Sequence, residues 1–238
     1  MSIMNIIKDN SNILKYGDIQ PIADPASYHE FTSMKEADEW GKEKYSDWAE
    51  SYKEIFLITA QYKEGSILHV VDPVDMYLGY EYERINDYLR TGEPADSDYN
   101  IRIRISNLIM AISCAPVIGQ KIVLYRQVPA KMIEEMIGRN KGTNQLPYQE
   151  KGFMSTSLLK TSCAKSCGNS EYMLKIYVED FCPIHAIYAN VIRGRDEAEL
   201  LLPPGLFMRM AGYPYKDEGT GKTIYETQLF SMNSLNGK

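Results

Sequence analysis

RDEAELLL, residues Arg195–Leu202, places two glutamates one residue apart directly before an apolar run. Residues two apart on a β-strand point to the same face. This stretch therefore predicts a buried strand with the carboxylates of Glu197 and Glu199 side by side at its mouth. Paired carboxylates suit glycosidic chemistry, in which positive charge develops on a sugar carbon. Because charged residues are mostly exposed, a solvated strand edge is the alternative interpretation of this motif.

Length and composition describe an acidic chain of moderate size. It has 238 residues, of which 44% are hydrophobic and 24% charged, and its net charge is −6. This length can bury one core, alone or with a helical annex. The acidic balance argues against a general nucleic-acid binder, which usually carries a basic face. The four cysteines lack the spacing of a disulfide framework, so free thiols are the favoured interpretation.

From the sequence we expect neither a targeting segment nor a membrane span. Met1–Tyr16 has no continuous apolar region, so we expect no signal peptide. No stretch reaches the roughly 18 apolar residues of a membrane span. If the protein acts outside the cell that makes it, another component must deliver it.

Helical patterns occupy the first half of the chain. Phe31–Tyr52 has an apolar stripe at helical spacing, and Ser33 with Glu36 matches a capping box at its start. Met76–Arg90 is rich in tyrosine and stops before a Gly-Glu-Pro sequence. A second amphipathic helix is predicted around Ile101–Ile112. A short strand or turn is predicted at Ile67–Val71, and a short helix further on at Lys131–Ile137.

The pattern changes near Pro116, after which strands predominate. The predicted strands are Lys121–Val128, Gly152–Leu158, Glu171–Val178, Ala186–Asn190, Glu197–Leu202, Leu206–Gly212 and Thr223–Met232. Helices first and strands afterwards imply an α+β fold. We predict one domain over residues 1–238, with an N-terminal arm (1–30), a helical annex (31–116) and a β-rich core (117–238).

Four motifs follow one another in a fixed order and carry a family resemblance. They are Tyr77–Arg90, the strand-borne Arg126, Gly152–Ser157 (GFMSTS) and Glu197–Glu199. With these motifs in this order, the chain resembles the bacterial mono-ADP-ribosyltransferase toxins of the Arg/Ser-Thr-Ser/Glu-x-Glu type. It is most similar to the catalytic domains of the iota-type, actin-modifying binary toxins. The resemblance covers about Phe31–Phe230 and implies an ADP-ribosyltransferase fold, with N-terminal helices packed on a mixed or antiparallel two-sheet β core.

The resemblance implies NAD+ as a substrate, and the chemistry of three residues fits that role. Arg126 can grip a pyrophosphate bidentately, as lysine cannot, although a strand arginine can equally be a salt-bridge partner. The hydroxyl of Ser155 can support the carboxylate of Glu199, although serine pairing across a sheet is an ordinary alternative. Phe153 can stack beside the nicotinamide or can belong to the core.

The two glutamates have different implied roles. Glu199 is expected to hydrogen-bond the 2′-hydroxyl of the nicotinamide ribose and to favour the oxocarbenium-like state as nicotinamide leaves. In the resembling family a glutamate at the position of Glu197 accompanies arginine acceptors, whereas a glutamine accompanies the Rho-modifying relatives that use asparagine. A guanidinium is a poor nucleophile until a group orients it and removes a proton. A second carboxylate can do both.

The remaining predicted NAD-binding residues lie on both sides of the site. Tyr77, Asn86 and Arg90 align with residues that line it from the helical side, and Gln127 lies beside Arg126. For Tyr77 and Asn86, helix packing and capping are the alternative. No Rossmann fingerprint, P-loop or hydrolase triad order is present in the sequence.

No metal is expected from the resemblance, but one cysteine constellation competes with that expectation. A four-ligand structural zinc site could be built from Cys163, Cys167, Cys182 and His185. Isolated thiols are the favoured alternative.

The expected partner is a host protein acceptor, with actin the leading candidate and no nucleic acid. Where relatives carry an aromatic residue three positions before Glu197, this chain has Gly194, flanked by Arg193 and Arg195. Two arginines at the mouth could favour an acidic acceptor surface or balance Asp196 and Glu197.

Delivery and catalytic status leave further alternatives. The binary toxins carry a second, non-catalytic copy of the fold that binds a translocating partner, and this chain has room for one copy, which leaves a delivery partner open. The expected localisation is a secreted or translocated effector that acts in the host cytoplasm. The alternatives are a non-catalytic binding module, an NAD glycohydrolase, or a transferase with a nucleic-acid or small-molecule acceptor.

Overall fold

The computed structural model describes residues 11–61, 72–93, 99–142, 146–165, 169–194 and 197–231. The predicted strand or turn at Ile67–Val71 and the predicted zinc ligand Cys167 lie outside these residues.

The first long helix begins as its sequence predicts and extends further. Helix α1 spans Met34–Gln61. The Glu36 amide donates to Ser33 Oγ at 3.3 Å, and the Glu36 carboxylate accepts from the Thr32 amide at 2.8 Å, which confirms the capping box. The predicted end at Tyr52 is wrong, because the nine residues that follow it contain neither glycine nor proline to stop a helix.

The tyrosine-rich segment forms a helix that contains a π-helical turn. Helix α2 (Pro73–Met76) runs into a π-helix at Tyr77–Glu81 and then into α3 (Tyr82–Thr91). The Asp72 carboxylate caps its start, and Gly92, at φ +76°, ends it in the left-handed conformation. The sequence predicted the helix but not the π-turn, a feature that occurs often at functional sites.

Further helices in the described residues are α4 (Tyr99–Cys114), α5 (Ala130–Lys141) and α6 (Lys160–Lys165), with helical residues at 11–16 and 3₁₀ helices at Pro25–Ser27 and Ala189–Val191. Among the described residues, no helix is long and apolar enough to span a membrane.

In the part of the chain that the structure describes, nine strands form one hydrogen-bonded sheet. They are β1 (Ile122–Val128), β2 (Tyr148–Glu150), β3 (Met154–Ser157), β4 (Tyr172–Val178), β5 (Ile187–Tyr188), β6 (Glu199–Leu202), β7 (Leu206–Met210), β8 (Tyr215–Lys216) and β9 (Thr223–Phe230). Their order is β2-β7-β9-β4-β1-β3-β6-β5, and β8 pairs with β9. Only β4 and β9 run parallel among these pairs, so the sheet is mixed.

The α+β class and the packing of helices on a mixed sheet are confirmed. The two predicted sheets, however, are joined into one path. Strands β1 and β3 connect its halves through a single Cα pair, Tyr125 with Ser157, which makes this the narrowest junction. Sequence patterning shows which residues are in strands, but not whether a short pair joins two halves.

Both faces of β6 are covered, which explains its apolar run. Leu200 and Leu202 belong to the main core, together with Met154 of β3. Leu201 packs on the other face with Phe153 and with Ile85 of α3. All four residues of β6 are buried, as expected for a strand with a core on each side.

Carboxylates that accept tyrosine hydroxyls connect the N-terminal half of the chain to the sheet. Asp38 of α1 accepts from Tyr188 Oη at 2.6 Å and from Asn190 Nδ2 at 2.9 Å. Glu30 accepts from Tyr125 Oη and, at 2.8 Å, from Lys175 Nζ. Burial alone would raise the pKa of both carboxyl groups, but these hydrogen bonds outweigh it and lower both pKa values.

This linkage predicts acid destabilisation. Because the pKa values of Glu30 and Asp38 are lower in the folded chain than in the unfolded chain, both carboxylates stabilise the fold above about pH 5. The contribution is lost as the pH falls through and below the ordinary carboxyl range near about 4. Asp38→Asn should lower the Tm at neutral pH and flatten its fall in acid, measured by thermal unfolding. The exposed Glu50→Gln on the same helix should retain the wild-type slope, and an Asp38→Asn slope equal to it would contradict the linkage.

Candidate active site

A cleft of about 580 Å³ lies between the π-turn and strands β1, β3 and β6. Its lining is predominantly polar and brings together most of the residues predicted to act on NAD+. The lining residues are Tyr77, Leu78, Gly79, Tyr82, Asn86, Tyr125, Arg126, Gln127, Ser155, Thr156, Ser157, Ser162, Cys163, Glu197 and Glu199.

The register of β3 and β6 places Ser155 beside Glu199. Ser157 is the direct partner of Glu199, and Ser155 lies two residues further along the same face of β3. The Ser155 hydroxyl donates to a carboxylate oxygen of Glu199. Glu199 is only 5% exposed, so this hydrogen bond fixes a largely desolvated carboxylate. The predicted pairing of these two residues is present in the structure.

Glu197 reaches the same cleft by a route that differs from the prediction. Strand β6 begins at Glu199, and Ala198 has φ +47°, so the chain turns between the two glutamates. The predicted shared strand face is therefore wrong, because residue alternation does not extend through a left-handed residue. Ser157 Oγ donates to the Glu197 carbonyl at 2.7 Å, and the Leu158 amide donates to the Ala198 carbonyl at 2.9 Å.

A buried carboxylate that the sequence analysis missed organises the two arginines. Glu150, at 1% exposure, accepts from Arg90 Nε at 3.1 Å and Arg90 Nη2 at 3.3 Å. Its Oε2 also lies 3.8 Å from Arg126 Nη2. Burial opposes the charge of Arg90, but the hydrogen bonds from Arg90 to Glu150 outweigh it and raise the pKa of Arg90. Arg126 lines the cleft, whereas Arg90 lies outside the lining and supports it through Glu150.

Asn86 and Tyr77 hold the backbone that leads into β3. Asn86 Oδ1 accepts from the Phe153 amide at 2.8 Å, and Asn86 Nδ2 donates to Tyr77 Oη at 2.9 Å and to the Phe153 carbonyl at 3.3 Å. Tyr77 and Asn86 therefore line the cleft and support its wall at once. The ring of Phe153 is fully buried, 5.3 Å from the Tyr77 ring, so the predicted nicotinamide stacking does not fit this structure.

Gln127 lies at the base of the cleft in a chain of polar contacts. Its Nε2 donates to the Cys163 carbonyl at 2.5 Å, and its Oε1 accepts from Lys222 Nζ at 3.1 Å. Lys222 also donates to the Ser170 carbonyl at 2.7 Å. Burial raises the pKa of the Cys163 thiol to about 12, so this cysteine is a neutral wall residue.

The cleft carries opposite charges on two of its strands. Arg126 is on β1, Glu199 is on β6, and β3 with its hydroxyls lies between them. Two strand spacings, roughly 10 Å, separate the backbones of β1 and β6. Burial raises the pKa of Tyr77 to about 12, while the charge of Arg126 lowers this pKa and that of Glu199 raises it. The charges of Arg126 and Glu199 therefore both act on the Tyr77 hydroxyl, which lies on the helical side of the cleft.

Among the described residues, no cluster of three or more histidine, cysteine or acidic side chains could hold a metal. Cys163 and Cys182 are buried. His185 Nδ1 lies 2.5 Å from the Ala115 carbonyl. The fourth proposed zinc ligand, Cys167, is outside the described residues.

Two residues that support the site, Glu150 and Ser157, were not predicted from the sequence. Glu150 lies two residues before Gly152, in front of a motif that needs two arginines held together. Arg90 and Arg126 both precede Glu150 by more than twenty residues, so no local pattern pairs them with it. Ser157 is part of the GFMSTS motif, but its hydrogen bond to the Glu197 carbonyl depends on the turn at Ala198. No sequence pattern predicts that turn.

Comparisons with known proteins identify the family and the fold. The family model described as ADP-ribosyltransferase exoenzyme matches residues 37–231. The chain therefore belongs to the ADP-ribosyltransferase exoenzyme family. A comparison with curated proteins found no match.

Three solved structures show the same fold. BECa, an ADP-ribosylating toxin of a binary enterotoxin of C. perfringens, solved with NADH, is 21% identical with a TM-score of 0.63, over 86% of this chain and 50% of BECa. Plx2a from Paenibacillus larvae is 17% identical with a TM-score of 0.60, over 83% and 96%. The Clostridium limosum C3 exoenzyme is 18% identical with a TM-score of 0.59, over 85% and 97%. The chain thus spans half the length of BECa and nearly all of the other two.

Gly152 provides a test of the Asn86 anchor. A Cβ at this position would lie 2.7 Å from Asn86 Oδ1, closer than real Cβ contacts allow. We expect Gly152→Ala to destabilise the fold by about 1–3 kcal/mol and to weaken NAD+ binding, measured by urea unfolding and NAD+ titration.

Gly138→Ala is the matched control, because Gly138 is inside α5 with nothing within 4 Å of its added Cβ. It should stabilise the fold by about 0.4–1 kcal/mol. If Gly152→Ala is as stable as this control, the close approach of Asn86 to Gly152 is not required.

Proposed function

We propose that this chain cleaves NAD+, releases nicotinamide and transfers ADP-ribose to an arginine of a host protein, with actin as the leading candidate. The observation that carries the proposal is the hydrogen bond from Ser155 to the buried carboxylate of Glu199, in a cleft that also holds Glu197 and Arg126. Membership of the ADP-ribosyltransferase exoenzyme family supports the reaction class. The structure of BECa with NADH supports NAD+ as the ligand of this fold.

Arg126 is proposed to bind the pyrophosphate. Its guanidinium side chain is 14% exposed and lies at a long 3.8 Å from Glu150, so it keeps donors for a second anion. The neighbouring Arg90 is bonded through two nitrogens to Glu150. Two guanidinium groups around one carboxylate leave a local excess of positive charge, which suits a pyrophosphate.

Glu199 is proposed to stabilise the reacting ribose. When the bond between nicotinamide and the ribose carbon breaks, the electron pair leaves with nicotinamide and positive charge develops on the sugar. A carboxylate that is 5% exposed and held by Ser155 acts on that charge in a site of low dielectric. Its hydrogen bond to the 2′-hydroxyl would orient the ribose.

Glu197 is proposed to prepare the acceptor. The turn at Ala198 separates it from β6, so its carboxylate lines the cleft from a loop while Glu199 lines it from the sheet. An arginine nucleophile must lose a proton as its nitrogen bonds to the ribose carbon. Glu197 can accept that proton and orient the guanidinium.

The protein context completes the proposal. The whole chain is proposed to form one domain, with an arm at 1–30, a helical annex at 31–116 and a β-rich core at 117–238. It is proposed to act as a secreted or translocated effector in the host cytoplasm, brought there by a delivery component.

Substitution of the two glutamates should separate the two half-reactions. Glu199→Gln removes the charge that stabilises the ribose cation, so it should lower both ADP-ribose transfer and NAD+ hydrolysis by at least about a hundredfold. Glu197→Gln should abolish transfer and retain hydrolysis. Both rates are measured with labelled NAD+.

Glu218→Gln, in an exposed turn, is the control for loss of an acidic residue and should behave as wild type. Thermal unfolding of each variant checks the fold. Wild-type transfer by the Glu199 variant would overturn the assignment, as would a wild-type protein that consumes no NAD+.

The acceptor is tested with labelled NAD+, purified actin and a host-cell lysate, scored on a gel. A single labelled band at the mass of actin that disappears with Glu197→Gln is the expected result. Label on other proteins would retain an arginine transferase and exclude actin. Released nicotinamide without label would indicate an NAD glycohydrolase, and label on added oligonucleotides would indicate a nucleic-acid acceptor.

A further inference from the structure

An ion pair beside the cleft joins the segment before Glu197 to the helix before Tyr77. Arg193 Nη1 lies 2.6 Å from Asp75 Oδ1. Arg193 follows the 3₁₀ helix Ala189–Val191 and precedes Glu197 by four residues. Asp75 is in α2, two residues before Tyr77. The two side chains are 43% and 46% exposed, so the pair lies at the rim.

The described residues at the two ends of the segment from Arg193 to Glu197 are therefore each held in place. On the sheet side, Ser157 Oγ donates to the Glu197 carbonyl at 2.7 Å. On the helical side, the backbone amide of Arg193 donates to the Ala189 carbonyl at 2.9 Å and its guanidinium reaches Asp75. Only residues 194–196 separate the two anchors.

The guanidinium of Arg193 also lies against the π-turn. A Cβ built on Gly79, a residue of the cleft lining, would be 3.7 Å from Arg193 Nη1. The side chain of Arg193 thus lies near the segment that carries Tyr77, and it is paired with the helix that carries Asp75. Its charge is matched within the chain, which argues against Arg193 as a cation reserved for an acidic acceptor.

We infer that Arg193 is a positioning residue: its pair with Asp75 fixes Arg193 four residues before Glu197 and thereby sets the partition of ADP-ribose between an arginine acceptor and water. This inference rests on the proposed function. Transfer requires Glu197 within hydrogen-bonding reach of the acceptor nitrogen, and small displacements of such a group lower the rate strongly. Hydrolysis requires Glu199, whose position depends on Ser155 and β6 instead.

Arg193→Gln tests this role, with agmatine as a small guanidine acceptor and labelled NAD+ as donor. We expect kcat for transfer to fall about twofold to fivefold, the change that loss of an exposed ion pair supports, while kcat for NAD+ hydrolysis is unchanged. Arg139→Gln is the matched control. The Arg139–Glu135 pair has a similar length, 3.0 Å, and similar exposures of 41% and 47%, and neither residue lines the cleft.

Two further measurements separate positioning from other effects. The exchanged pair Asp75→Lys with Arg193→Glu should restore the ratio of transfer to hydrolysis. In the wild type, that ratio should fall as salt rises from about 0.05 M to about 0.5 M, because exposed ion pairs are screened, and Arg193→Gln should lose this dependence.

The results that overturn the inference are specific. A change in KM for agmatine with kcat unchanged would show that Arg193 acts only as a surface charge on acceptor binding and does not position Glu197. Equal loss of transfer and hydrolysis, with a lower Tm than the Arg139→Gln control, would assign it to the fold. A ratio equal to that of the control would show that the ion pair has no role. A wild-type protein that consumes no NAD+ would refute the proposed function itself, before any variant is compared.

Discussion

A buried carboxylate needs cationic partners, and that constraint organises the cleft. Glu150 is 1% exposed and lies at the end of β2. It meets this need with Arg90 of α3 and Arg126 of β1, and it also accepts from the Gly152 amide at 2.9 Å. Removing one partner of such a cluster leaves an uncompensated buried charge, which costs about 3–5 kcal/mol. The helical wall and the sheet are therefore coupled through one side chain.

From this cluster the rest of the site follows along β3. Gly152 lets the backbone approach Asn86, whose amide group fixes both the N–H and the carbonyl of Phe153. With Phe153 fixed and its ring buried, alternation along β3 turns Ser155 and Ser157 toward the cleft. Ser155 then holds Glu199, and Ser157 holds the backbone of Glu197. Backbone positions set by packing thus determine where the hydroxyl groups and carboxylates meet.

Sequence patterns predicted the parts of this site that depend on short-range rules. The capping box at Ser33, the strand of Arg126 and the apolar run after Glu199 are local signals, and the structure contains each of them. The π-turn, the single-pair junction between β1 and β3 and the left-handed Ala198 depend on tertiary packing, so no local pattern announces them. Phe153 shows the same limit, because an aromatic residue in a strand fits a core and a binding site equally well until the facing helices are known.

The turn at Ala198 gives the two glutamates different mechanical supports. Glu199 is a strand residue, 5% exposed, with a fixed hydroxyl partner and a core behind each neighbouring leucine. Glu197 lies on a loop whose backbone is tied to β3 at one end and, through Arg193 and Asp75, to α2 at the other. A group that stabilises a developing charge benefits from rigidity, because pre-organised dipoles and charges need no rearrangement during reaction. In the proposed function, Glu197 must instead fit an acceptor surface that arrives from outside. If both glutamates were on one strand face, as alternation alone would place them, one rigid strand would hold both carboxylates. Because Ala198 between them is left-handed, Glu199 is held by the sheet and Glu197 by the segment before it.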